Sequence, residues 1–161
     1  MRLARASLAN SGTLVGVAQA AVSLRQVVLD CTDARKLAEF YRRLLAYHFR
    51  PGDDRLAAGE DDPNGRDWLV LRSPTGGCQL ALQQVDDLPE PTWPDGPRPQ
   101  MAHLDLTVPT TAALEAEHRR ALALGARLLR DRSDDRAEPL RVYADPAGHP
   151  FCIFVADPTP A

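Results

Sequence analysis

Asp145-Pro146-Ala147-Gly148-His149-Pro150-Phe151-Cys152 is a tight turn that runs into a β-strand. Proline at the second turn position presets φ, and Gly148 supplies the φ > 0 conformation that a side chain resists. An imperfect copy stands earlier in the chain, Ser73-Pro74-Thr75-Gly76-Gly77-Cys78-Gln79-Leu80. Two such turns imply a duplicated unit. Laying residues 24–45 on residues 101–122 tests this: Val27, Leu29, Leu37 and Leu45 fall on Leu104, Leu106, Leu114 and Leu122, and Gln26 falls on His103. The turns align at a slightly smaller offset, which places a short insertion in the first copy, within the polar run 52–66. Self-similarity at this period points to two related supersecondary units rather than to the shorter repeats of a solenoid.

Each unit reads as strand, helix, strand, strand, strand. In the first, residues 24–30 form a β-branched run, and Thr32 or Asp33 offers the N-cap of a helix. Leu37, Phe40, Tyr41, Leu44 and Leu45 then recur at helical spacing and build one apolar stripe. Strands follow at 47–50, 68–71 and 79–85, with a polar loop over 52–66. The second unit repeats the order: a strand at 102–108, a helix from Thr110 or Thr111 to Leu124 closed by Gly125, and strands at 127–130, 140–144 and 151–155. Between the units, residues 86–100 carry five prolines and read as an extended connector. The expected fold is α+β, two tandem βαβββ modules over 23–85 and 101–157 joined by the 86–100 linker. Residues 1–22 are expected to be a disordered leader, because Asn10, Ser11, Gly12 and Gly16 interrupt any continuous apolar run.

Bulk properties narrow the function. The chain has 161 residues, 44% hydrophobic and 25% charged, with a net charge of -3 and both signs interspersed. That is globular composition without the basic stripe that phosphate neutralisation needs, so nucleic acid is not expected as a partner. No segment reaches the apolar length that spans a bilayer. Three cysteines without CxxC spacing fit a reducing cytoplasm. Neither a Gly-rich phosphate loop at a helix start nor a serine nucleophile elbow is present.

Alternation along the first strands turns Val27 and Leu29, like Leu104 and Leu106, toward the helices. Gln26 and Asp30, with His103 and Asp105, then face the opposite way and are expected to converge on a cavity between the two sheets. Trp68, Trp93, Tyr143 and Phe154 are candidates to stack on a ligand there.

The paired units, Phe40-Tyr41 in the first helix, the His103-Leu104-Asp105-Leu106 strand, Leu124-Gly125-Ala126 and the Asp145–Phe151 turn together resemble the vicinal oxygen chelate superfamily. That group holds glyoxalase I, bleomycin-resistance proteins and extradiol dioxygenases. The resemblance covers about residues 23–156 and implies the glyoxalase, bleomycin-resistance and dihydroxybiphenyl dioxygenase fold. In its metal-using members a divalent ion is held by a His or Gln in the first strand of each unit and by a Glu in the last. The resemblance puts Gln26 and His103 at the first-strand positions. At the last-strand positions it puts Cys152 and either Ala81 or Leu80, with Gln83 one step along the same face. Both carboxylates are therefore missing, and no catalytic metal is expected; a divalent metal, if bound, would use Gln26, His103 and Cys152.

The expected function is that of a glyoxalase-like protein binding a small organic molecule in the cavity. His103 is the candidate catalytic residue, and Gln26, Asp105, Trp68, Cys152, Gln83 and Phe154 are the candidate substrate-binding residues. The alternatives are a metal-dependent lyase, isomerase or dioxygenase with an atypical ligand set, and a dimerisation or regulatory module. The resemblance also implies a homodimer.

Overall fold

The first strand, β1 (Gln26–Cys31), alternates as expected: Val27, Leu29 and Cys31 enter the core while Gln26, Val28 and Asp30 look the other way. Helix α1 (Ala34–Leu44) follows at once, because the Asp33 carboxylate accepts from Lys36 N at 2.9 Å and caps the first turn. Its stripe of Leu37, Phe40, Tyr41 and Leu44 is buried. Strands β2 (His48–Phe49), β3 (Trp68–Arg72) and β4 (Gln79–Gln84) complete the first unit, with Gly76 and Gly77 both at positive φ in the β3–β4 turn. The second unit comprises β5 (Leu104–Val108), α2 (Thr111–Leu124), β6 (Arg127–Arg132), β7 (Leu140–Ala144) and β8 (Pro150–Val155). Thr110 caps α2 at its start, and Gly125, at φ 107°, closes its end.

This architecture comes from a computed structural model that describes residues 23–156; the leader expected over 1–22 and residue 157 of the second module lie outside the described residues. Two four-stranded mixed sheets result, ordered β1-β4-β3-β2 and β5-β8-β7-β6. In each, the first and last strands of the unit are parallel neighbours. The fold is thus α+β, with two tandem βαβββ modules. Among the described residues no helix is long and apolar enough to cross a membrane.

One core serves both units. Phe40 and Tyr41 of α1 meet Phe151 of β8 edge-on at 5.9 and 6.5 Å, and Phe151 stacks on Tyr143 of β7 at 5.2 Å. Polar links run the same way. The Tyr41 hydroxyl donates to Asp145 Oδ2 at 2.8 Å, His149 Nε2 donates to the Asp30 carbonyl at 2.6 Å, and Arg120 donates to the carbonyls of Arg43 and Leu44 at 2.6 and 2.7 Å. Arg120 therefore satisfies two carbonyls left over at the C-terminus of α1.

Arg141 is buried on the helix side of β7 and bonded to Asp131, Glu115 and Ser133. Burial works against the charge on Asp131, yet hydrogen bonds from Ser133 and the Arg141 guanidinium outweigh it and hold that carboxyl down to about 2.

Candidate functional site

Register places the open face of the second sheet, the one turned away from α2. Asp105 pairs with Cys152, Cys152 with Val142, and Val142 with Arg130, so these four form one row across the sheet. The next row is Thr107, Phe154, Leu140 and Arg132. A cavity of about 290 Å³ lies on these rows. His103, Asp105, Cys152 and Phe154 line it, and Trp93 and Gln100 come in from the linker. That size suits a small ligand, and a few polar groups converging among apolar and aromatic walls is the usual anatomy of such a site.

Polar contacts concentrate at the β5 end. His103 Nε2 lies 3.1 Å from Asp105 Oδ1, and the Cys152 thiol donates to the same oxygen at 2.8 Å. Burial, then the hydrogen bond to Asp105 and its charge, push the Cys152 thiol up to about 12. At neutral pH it is protonated and uncharged, which makes it a poor nucleophile. Alkylation should reflect this. With iodoacetamide at pH 8, exposed Cys78 should react first and Cys152 should resist. Asp105→Asn removes the neighbouring negative charge, lowers the thiol pKa toward the ordinary 9.0, and should speed Cys152 labelling about tenfold. Peptide mass spectrometry reads the rates, and an unchanged Cys152 rate would show that Asp105 does not control the thiol.

The other expected site residues lie on the first sheet. Gln26 and Gln83 stand on the open faces of β1 and β4, and Trp68 is paired with Gln83 across β3. Gln26 belongs to a polar row with Gln79, Arg72 and His48, in which Arg72 Nε and Gln79 Oε1 are buried without a partner. None of Gln26, Trp68 and Gln83 is among the lining residues of the His103 cavity. The structure thus brings together His103, Asp105, Cys152 and Phe154 on one sheet and leaves the other three on its counterpart. The cavity, expected between the sheets, is built on the second sheet and roofed by the linker. Alternation decides the face of a residue but not the disposition of two sheets, which accounts for the difference.

The 52–66 loop is tied to α1: Arg35 bonds Asp62 at 2.9 Å and the Asp53 carbonyl at 2.8 Å, and buried Asp53 accepts from Val70 N. Arg130 and Arg132 escaped the sequence reading because β6 carries a register shift between Leu128 and Arg130. A bulge there puts Arg127, Arg130 and Arg132 on one face, whereas strict alternation separates Arg127 from both.

A larger groove of about 800 Å³ runs along α1 and the Asp145 turn. Its walls carry mixed charges, among them pairs already satisfied within the protein, Arg35 on Asp62 and Glu39 on Arg42.

A metal fits these residues poorly. The position next to Val28 on β4 is Ala81, which has no donor, and the equivalent on β8, next to Asp105, is Cys152. Among the described residues no group of three or more His, Cys, Asp and Glu is placed to hold an ion.

Comparison with known proteins follows the fold. The sequence matches the glyoxalase-like domain family over residues 26–154. No curated protein matches it. Among solved structures it is similar to a glyoxalase/bleomycin resistance protein/dioxygenase family enzyme from Burkholderia phytofirmans PsJN, with TM-score 0.61 at 14% identity, covering 83% of this chain and 98% of that one. It is similar also to the fosfomycin resistance protein FosX from Listeria monocytogenes, in complex with Mn(II) and 1S,2S-dihydroxypropylphosphonic acid, with TM-score 0.59 at 16% identity, covering 85% and 94%. The match of the glyoxalase-like family across both units, on a fold of two βαβββ modules, makes this chain a member of the vicinal oxygen chelate superfamily.

Proposed function

We propose that the protein binds a small organic molecule in the cavity on its second sheet, without a catalytic metal. The observation that carries this reading is the cavity itself, where Trp93 and Phe154 supply aromatic surface and His103 and Asp105 meet at 3.1 Å at one end. His103 stands against the Asp105 carboxylate, and the Cys152 thiol, bonded to the same oxygen, is an uncharged neighbour. The same His103–Asp105 contact favours a second reading, an isomerase or lyase in which His103 moves a proton of the bound ligand.

A thermal-shift screen against metabolites, run with and without chelator, tests the proposal. A specific ligand at a hundred times its Kd should stabilise the fold by about 2.7 kcal/mol. The shift should survive the chelator and disappear in Val142→Phe, which fills the cavity floor. A hit that needs added metal, or that persists in Val142→Phe, would overturn the reading.

The reading extends to a cytoplasmic homodimer with no nucleic-acid or membrane partner, supported by the three free cysteines, the net charge of -3 and the family. Sedimentation equilibrium tests the dimer, and a monomer at micromolar concentration counts against it.

A further inference from the structure

We propose that the cavity selects an elongated organic acid, its anionic group held by Arg130 at the β6 wall and a hydrogen-bond donor at its far end held by Asp105. This rests on the cavity being a ligand site.

The row Asp105, Cys152, Val142, Arg130 crosses all four strands of the sheet. Neighbouring strands lie about 4.8 Å apart, so its two charged ends stand about 14 Å apart at the backbone. Between them the floor is uncharged: the Cys152 thiol and Val142 in the row, Phe154 and Leu140 beside it. A charge placed over this floor would lose hydration without gaining a partner. The ligand's charge therefore belongs at an end.

Arg130 is equipped to receive it. Its guanidinium lies over the Trp93 ring at 5.3 Å, which fixes the plane of the fork without using its N–H groups. Its neighbours are committed elsewhere, Arg132 to Asp135 and Arg141 to Asp131 and Glu115. Among the described residues Arg130 has no carboxylate within ion-pair distance, so its donors remain for a ligand carboxylate to accept bidentately. At the opposite end both protein contacts fall on Asp105 Oδ1, which leaves Oδ2 to accept from a ligand hydroxyl or ammonium. Asp105 also repels a second acidic group there. Glu138, on the rim beyond Leu140, adds negative charge outside the row and disfavours a dianion.

Isothermal titration of the full chain with three probes tests this: 3-(4-hydroxyphenyl)propionate, its primary amide, and 3-phenylpropionate. The acid should bind about tenfold more tightly than the amide, the effect of one charge-assisted pair. Arg130→Gln, at an exposed position on β6, should abolish that preference. Asp105→Ala should erase the advantage of the hydroxylated acid over 3-phenylpropionate. Equal binding of acid and amide to the unmodified protein, or an undiminished preference in Arg130→Gln, overturns the inference while cavity binding stands. If none of the probes binds although screening hits are lost in Val142→Phe, the inference falls and the cavity reading survives; if no hit is sensitive to Val142→Phe, the cavity reading falls with it.

Discussion

Asp145→Ala is expected to cost about 3 kcal/mol of stability and to lower Tm by about 10 °C. The carboxylate is buried and receives three hydrogen bonds: the Tyr41 hydroxyl at 2.8 Å on Oδ2, and the N–H groups of Ala147 and His149 at 2.8 and 3.0 Å on Oδ1. Alanine leaves all three donors without a partner, and leaving a buried donor unsatisfied costs more than a typical hydrogen bond contributes. Removing a buried charge offsets part of that loss. Desolvation raises the Asp145 pKa above the ordinary 3.8, against the opposing pull of His149 and the hydrogen bonds. The folded state then holds this proton more tightly than the unfolded chain does. The resulting contribution is fully present below pH 3.8 and is lost as pH rises through the raised folded value. Asp145→Asn keeps the acceptor for both turn N–H groups and removes the titration, so it should cost less than alanine and flatten this part of the pH profile. Urea melts at several pH values measure both effects. A loss below about 1 kcal/mol in the alanine variant would show that this link does not hold the two units together.

Phe151→Ala should be costlier still, about 4 kcal/mol. Its ring is fully buried, stacked on Tyr143 and met edge-on by Phe40 and Tyr41, so the lost area comes with three aromatic contacts and a cavity at the junction of the units. Phe151→Leu should recover more than half of the loss, because it restores volume. Phe151 and Cys152 face opposite sides of β8, so ligand affinity per folded molecule should be retained in both variants. Chemical denaturation beside a binding titration separates the two quantities. A variant that keeps its stability would place the shared core elsewhere.

Much of the fold was legible in the sequence because its signals are local. The 3.6-residue stripe of α1, the capping side chains of Asp33 and Thr110, and the glycines at 76, 77, 125 and 148 each act within a few residues of themselves. The site was legible only in part. His103, Asp105, Cys152 and Phe154 follow from alternation on two neighbouring strands, and the structure does place them together. Arg130 depends on a one-residue irregularity, which has no periodicity to read, whereas Trp93, a stacking candidate by residue type, is brought to the cavity by the path of a proline-rich segment. Arg141 and Asp145 read as ordinary polar residues until distant partners surround them: Glu115 is 26 residues from Arg141, and Tyr41 is 104 from Asp145.

The helix-end contacts of Arg120 bear on the order in which the protein is made. Helix α2 ends on its own Gly125, but α1 leaves the carbonyls of Arg43 and Leu44 to a side chain 77 and 76 residues further along. Synthesis runs from the N-terminus, so the first module leaves the ribosome with an open helix end and a Tyr41 hydroxyl that has no acceptor. Although the two units descend from one pattern, they are not equivalent during biogenesis. Translation delivers this incomplete unit before its partner, and its folding is completed by residues that are made later.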